Sequence, residues 1–195
     1  GQRRHVYIAL NKPVGITCTT ERHIPGNIID YINHPQRIFP IGRLDKDSEG
    51  LILLTNNGDI VNEILREENA HEKEYIVTVD RPLTDEFLYG MAHGVDILDT
   101  RTKPCKVRRI GRNVFGIILT QGLNRQIRRM CAAFDYKVRR LQRVRIVNIR
   151  VDGIKAGQQV WKNDDPELTS RLRKSYTTAD PERRTPIDLT VSAAV

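Results

Sequence analysis

The chain has 195 residues, 39% of them hydrophobic, and a formal net charge of +8, which suits one soluble domain that can bury a core without disulfide or metal staples. No run of about 18 apolar residues and no signal-peptide core occurs in it, which argues against a membrane span and points to the cytoplasm. Three cysteines without a CxxC pair and five scattered histidines argue against a disulfide framework and a structural zinc site.

In chain order, "VYIAL" from Val6 reads as a strand and "GNIIDYINH" from Gly26 as a short helix. "RIFPI" from Arg37 and "LILLT" from Leu51 are strands that flank an acidic loop, and "GDIVNEILR" from Gly58 is a helix begun after a glycine turn. "EYIVTVD" from Glu74 alternates as a strand does. "TDEFLYGMAHG" is a helix opened by Thr84 as its cap and closed near Gly94. "CKVRRI" from Cys105 and "VFGIILT" from Val114 form a strand pair, "LNRQIRRMCAAF" from Leu123 turns helical, and "VRRLQRVRIVNIRV" from Val138 returns to strand. The class is α+β with mostly antiparallel strands. After Gly157 the pattern dissolves, with one short helical candidate from Pro166 to Lys174. The chain therefore divides into a domain over residues 1–162 and a peripheral tail over 163–195, draped on the domain by Trp161.

Charge is divided along the chain. Residues 101–150 hold fifteen Lys or Arg against one acid, Asp135, whereas residues 45–100 hold fourteen acids against four basics. So many cations in fifty residues need a polyanion or an acidic neighbouring surface, and nucleic acid is the commonest polyanion.

The acidic loop lies in "GRLDKDSEGLILLT", Gly42 to Thr55. Asp45, Asp47, Glu49 and Gly50 imitate positions 1, 3, 5 and 6 of a calcium loop, but position 12 is Asn56 and the flanks are strands, so calcium is set aside. Asp47, Ser48 and Glu49 read as a solvated turn. Asp45 differs, because it stands at a strand end beside the core, where a carboxylate needs a partner to stay charged and can then serve as nucleophile or base.

A partner is offered by "GLNRQIRRM", Gly122 to Met130. On a helix Ile127, Met130, Cys131 and Phe134 form one apolar stripe, with Arg125, Arg128 and Arg129 on the other side. Arginines at a helix start oppose its dipole unless an anion lies before them, and Asn124 is a suitable N-cap.

These stretches, with "KEY" from Lys73, resemble the motifs of RNA pseudouridine synthases of the RsuA-like branch. "ALNKPVGI", "HEKEYIVTVD" and "VRRLQRVRI" resemble that branch too, so the likeness covers about residues 6–162 in order. The resemblance implies a mixed, mostly antiparallel sheet with flanking helices around a central catalytic cleft, formed by the 1–162 domain. It also implies an S4 RNA-binding domain ahead of Gly1, and it does not extend to the tail. The implied activity is isomerisation of a uridine in ribosomal RNA of the large subunit (23S), with transfer RNA as a further candidate substrate. Asp45 would be the catalytic carboxylate, Arg128 its ion-pair partner, Tyr75 the ring stacked on uracil, and Leu141 a wall of the base pocket. Reactants and products contain the same atoms, so neither cofactor nor metal is needed.

A stacked uridine must be flipped out to react. Arg43 is the candidate to fill the gap, since guanidinium planes stack on bases. Asn124 with Arg125, Arg129, Arg139, Arg140 and Arg143, extended by Arg108 and Arg109, reads as the phosphate track. No heptad or long apolar face suggests an obligate partner, so a monomer is expected. The rival reading is a ribosome-assembly factor that binds RNA without catalysis. The joint presence of Asp45, Tyr75 and Arg128 favours the enzyme.

Overall fold

The computed structural model describes residues 5–65, 71–155, 157–163 and 192–193. Two strands organise it. β1 (Val6–Lys12) is buried along its whole length, and β3 (Glu49–Thr55) pairs with it antiparallel from Tyr7↔Thr55 to Lys12↔Gly50. Both are near-continuous apolar runs, as strands covered on two faces must be. Ile8, Leu10, Ile52 and Leu54 meet α1 (Ile28–Ile32) through Ile28 and Ile32, while Tyr7, Ala9, Leu51 and Leu53 meet Ile60 of α2 (Gly58–Leu65). β2 (Phe39–Ile41) pairs with β3 and delivers the chain to the acidic loop.

The second half is built on β4 (Lys73–Val79), which lies between β8 (Val114–Leu119) and β9 (Val138–Ile146), both antiparallel to it. Val77, Val79, Phe115, Ile117 and Leu119 pack against Phe87 and Met91 of α3 (Asp85–His93) and against Ile127, Met130 and Cys131 of α4 (Gln126–Ala133). Thr84 caps α3 as its sequence predicts, its hydroxyl accepting the Phe87 N–H at 3.1 Å. β5 (Asp96–Ile97) and β6 (Thr100–Arg101) form a separate small hairpin, and β7 (Lys106–Arg109) pairs with β8 at the sheet edge.

The halves join where β3 and β9 run parallel, over Glu49↔Gln142 and Gly50↔Arg143. Every other pairing of named strands is antiparallel among the described residues. The architecture is α+β, as expected. No helix among those residues is long and apolar enough to cross a membrane.

Two boundaries differ from the sequence reading. The strand expected to run from Val138 to Val151 turns back at Val147 and Asn148, and β10 (Ile149–Arg150) pairs with β9. Val147 takes φ +54°, which a β-branched residue rarely adopts, and its N–H is held by the Glu72 carbonyl at 2.8 Å. A tertiary bond makes this turn, so no glycine or proline marks it. Past Gly157, β11 (Gln159–Asn163) pairs with β1 from Val6↔Asn163 to Leu10↔Gln159, and β12 (Ser192–Ala193) pairs with β11. The helix expected from Pro166 to Lys174, like most of the tail, lies outside the described residues.

Candidate active site

The acidic loop stands at the join of the two halves. Gly50, at φ +113°, passes so close to β9 that a Cβ there would collide with the Arg143 backbone. That contact fixes the start of β3. The Ser48 N–H closes a turn on the Asp45 carbonyl at 3.0 Å, and the Asp45 carboxylate, 38% exposed, faces a cleft of about 370 Å³. Tyr75, Leu119, Ile127 and Leu141 supply the apolar lining of this cleft. Leu141 is fully buried within the core, whereas Tyr75 is half-buried and reaches the opening.

The arginine segment closes the other side. Arg125, not Asn124, is the N-cap of α4, and it takes a left-handed conformation (φ +49°) without a side-chain capping bond. Asn124 is instead bound by Arg129, which donates to its carbonyl at 3.0 Å and to its Oδ1 at 2.9 Å. From the turn at Arg125, its guanidinium reaches the acidic loop. It grips Asp47 with two bonds, Nη1 to Oδ1 at 2.9 Å and Nη2 to Oδ2 at 2.7 Å, and Nη1 also stands 3.5 Å from Asp45 Oδ2.

The partner of Asp45 is thus Arg125, and the expected Asp45–Arg128 pair is not formed. Arg128 sits one turn deeper in the helix and meets the loop after Asp45: its Nη2 donates to the Asp47 carbonyl and the Ser48 hydroxyl, both at 3.0 Å. Its Nε lies 3.6 Å from Asp47 Oδ2 and has no hydrogen-bond partner, although buried. Asp47 is therefore the hub of the loop rather than a solvated turn residue. The Arg125 hydrogen bonds hold its carboxyl below the usual range, and the same bonds push Arg125 up.

Among the remaining basics, Arg143 leaves the phosphate track. It is only 3% exposed, donating from Nε to the Leu51 carbonyl at 2.8 Å and from Nη1 to the Arg43 carbonyl at 3.2 Å, which braces the turn that carries Arg43 and Asp45. It belongs to the inside of the site because β9 turns its side chain under the loop. Arg140 is exposed but ion-paired to Glu49, and Arg108 and Arg109 lie near Glu74 (3.8 Å) and Asp85 (3.7 Å). Arg139 is exposed. The Arg43 guanidinium is exposed on the rim of the cleft and makes no hydrogen bond or ion pair among the described residues.

Two lysines were missed by sequence reasoning, because only tertiary burial distinguishes them. Lys12 is fully buried, and its Nζ donates to the carbonyls of Pro13 and Ile16, each at 2.9 Å. Burial lowers its pKa, while Cys18, Asp45 and Asp47 oppose that shift. Lys73 is pushed down to about 8 by burial, with Arg143 adding to the effect. Burial also keeps the thiols protonated, at about 11 for Cys105 and about 12 for Cys131, which leaves them poor nucleophiles. Among the described residues no three His, Cys, Asp or Glu side chains converge on a point where a metal ion would fit.

Comparison with known proteins shows the family. A family model described as RNA pseudouridylate synthase matches residues 6–133. The dual-specificity RNA pseudouridine synthase RluF of Shigella flexneri is 56% identical over 181 residues, which cover 92% of this chain and 62% of that protein. RluF of Escherichia coli strain K12 is 60% identical over 164 residues, 84% of this chain and 56% of that one. The ribosomal large subunit pseudouridine synthase B of Bacillus subtilis is 30% identical, with 86% and 71% covered. This chain thus spans about three fifths of the length of the RluF proteins it matches. A crystal structure of a pseudouridylate synthase superposes with a TM-score of 0.77 at 26% identity, covering 86% of this chain and 74% of that one. Sequence match and shared architecture bring the acidic loop, β4 and the start of α4 under one description, and the chain belongs to the RNA pseudouridylate synthase family.

Proposed function

We propose that this chain isomerises a uridine of ribosomal RNA, in the large subunit, to pseudouridine, with Asp45 as the catalytic carboxylate. The observation that carries this reading is the Asp45 carboxylate facing a cleft walled by Tyr75 and Leu141, with the Arg125 guanidinium 3.5 Å away. The names of the relatives support the substrate class, and "dual-specificity" supports a trial of a second RNA, for which transfer RNA is our candidate. The reaction would run in the cytoplasm, where ribosomal RNA is matured, on a monomer whose cleft is built from one chain.

The cleft suits a flipped pyrimidine: an aromatic ring to stack on, an aliphatic wall, and amide and guanidinium groups at the rim from Gln121, Asn124 and Arg43. The Arg125 guanidinium lies 3.5 Å from Asp45 Oδ2 and orients it, and a partly exposed carboxylate remains able to attack. The bond from ribose C1′ to N1 of uracil breaks with its electron pair going to the base, as Asp45 takes up C1′ or promotes the cleavage otherwise. The base turns between Tyr75 and Leu141, C5 bonds to C1′ as any Asp45–C1′ ester bond breaks and returns its electron pair to the carboxylate, the C5 proton leaves, and N1 regains a proton. Atoms and electrons balance without a cofactor or a metal. Arg43 fills the vacated stack.

The test is incubation with unmodified ribosomal RNA followed by pseudouridine mapping, with Asp45→Asn alongside. One modified uridine in the large-subunit RNA is expected from the parent chain and none from Asp45→Asn, with RNA binding kept by both. Tight binding without any product from the parent chain would move the reading to a non-catalytic assembly factor.

A further inference from the structure

Asp47 does something that a turn residue has no need to do. Its carboxylate fills the fork of Arg125 with two parallel bonds at 2.9 and 2.7 Å, and lies 3.6 Å from Arg128 Nε, a buried donor without a hydrogen bond. Two guanidinium groups that line the cleft thus converge on one half-exposed anion, and one of their donors is still unsatisfied. Arg125 takes one bond to each oxygen of this carboxylate, which leaves Arg128 Nε 3.6 Å from Oδ2, outside hydrogen-bond reach. A phosphodiester presents its two non-bridging oxygens and its ester oxygens in a larger tetrahedron, which can bridge both forks and reach the orphan donor as well. Backbone geometry keeps the forks together independently of Asp47. Arg125 is set by its left-handed cap position, and Arg128 is anchored by Nη2 on the Asp47 carbonyl and the Ser48 hydroxyl rather than on the Asp47 side chain.

We infer that Arg125 and Arg128 form a phosphodiester-binding subsite beside the cleft, which the Asp47 side chain occupies in the free protein and yields to the RNA backbone next to the flipped nucleotide. This rests on the proposed RNA substrate. Asp47 is then an intramolecular stand-in: it keeps two cations paired while no RNA is bound, and it competes with RNA when RNA arrives. Displaced, it returns to solvent, where a carboxylate about half exposed loses little. The exchange also withdraws a competing anion from Arg125, leaving its Nη1 beside Asp45.

The experiment measures affinity, not turnover, so that failure of the chemistry and failure of the subsite are separable. Asp45→Asn is the background, which blocks any reaction, and the probe is a synthetic uridine-containing RNA hairpin titrated at several salt concentrations. Adding Asp47→Asn removes the competitor and should tighten binding about fivefold, the size of an exposed ion pair. It should also steepen the log–log salt slope by about 0.7, one phosphate neutralised without an internal acid to replace it. In an Arg125→Gln background the Asp47 substitution should have no effect, because the fork it fills is gone. A hairpin with one neutral methylphosphonate linkage, placed in turn on the 5′ and the 3′ side of the target uridine, should cancel the gain at one of the two positions. Unchanged or weaker binding by the folded Asp47→Asn protein would overturn the subsite, as would a gain that persists with Arg125→Gln or with both neutral linkages.

Discussion

Two acid–arginine clusters, both joining the acid-rich stretch to the base-rich one, differ in what surrounds them. At the β4–β9 junction Arg145 donates to Glu74 at 3.1 Å and to Glu72 at 3.3 Å, with its side chain 11% exposed, and the Val147 carbonyl takes a further bond. At the cleft Arg125 and Arg128 hold Asp45 and Asp47, whose side chains are 38% and 49% exposed. The chemistry is the same and the dielectric is not. A closed cluster is a structural bolt, because a charge left alone there has no water to turn to. An open one keeps its charges exchangeable, and exchange with a ligand is what a binding site requires.

This contrast can be broken by the stability of single variants. Arg145→Met removes the nearer cation of Glu74, leaving only Arg108 at 3.8 Å, and should destabilise the fold by about 3 kcal/mol in urea unfolding, the lower end for a broken buried pair. Asp47→Ala should cost less than about 1 kcal/mol, as expected for an exposed pair. Equal costs would mean that the cleft cluster is as structural as the buried one, and the exchange of Asp47 for phosphate would lose its physical basis.

Lys73 is the converse case, a partly buried cation without a carboxylate partner among the described residues. Its pKa in the fold, about 8, lies below the ordinary lysine value of 10.5, so the unfolded chain binds more protons between those two values. Folding stability is therefore penalised while Lys73 is charged, below about pH 8, and the penalty fades as pH rises towards 10.5. Lys73→Met should stabilise the protein by up to about 3 kcal/mol at pH 7, and the gain should vanish near pH 10.5. A gain independent of pH would place the effect in packing instead of charge.

Much of the fold was legible because it rests on local signals. Apolar runs marked β1 and β3, Thr84 and Gly94 bounded α3, and Gly58 marked the start of α2. What was missed depends on distant contacts. Val147 turns against its own preference because Glu72 holds its N–H, and β11 is a strand because β1 has an open edge there. Asp45, Tyr75 and the arginine segment, singled out in the sequence by their chemistry and by resemblance, line one cleft. The pairing was not legible, since whether Arg125 or Arg128 meets Asp45 depends on the left-handed turn at Arg125. The charge division was over-read as well. Part of the basic stretch is answered by acids of residues 45–100, in pairs such as Arg140–Glu49 and Arg109–Asp85, so fewer cations remain for RNA than the count suggests.

Internal pairing within the basic stretch has a measurable consequence, smaller than the others. Arg139 and Arg140 are neighbours on β9 and both are exposed, but Arg140 is paired with Glu49 while Arg139 forms no ion pair within 4 Å among the described residues. Contacting a phosphate releases a counterion only where the cation had not already been neutralised from within. Arg139→Ala should therefore flatten the salt dependence of RNA affinity by about 0.7 in log–log slope, if Arg139 makes one such contact with a single-stranded region. Arg140→Ala should change the slope by clearly less, because RNA at that position would exchange one anion for another, as proposed for Asp47. The measurement is RNA titration of both variants across the same salt series. Equal flattening would show that the Arg140–Glu49 pair opens before RNA arrives, and it would put Arg140 back on the phosphate track with the same weight as its neighbour.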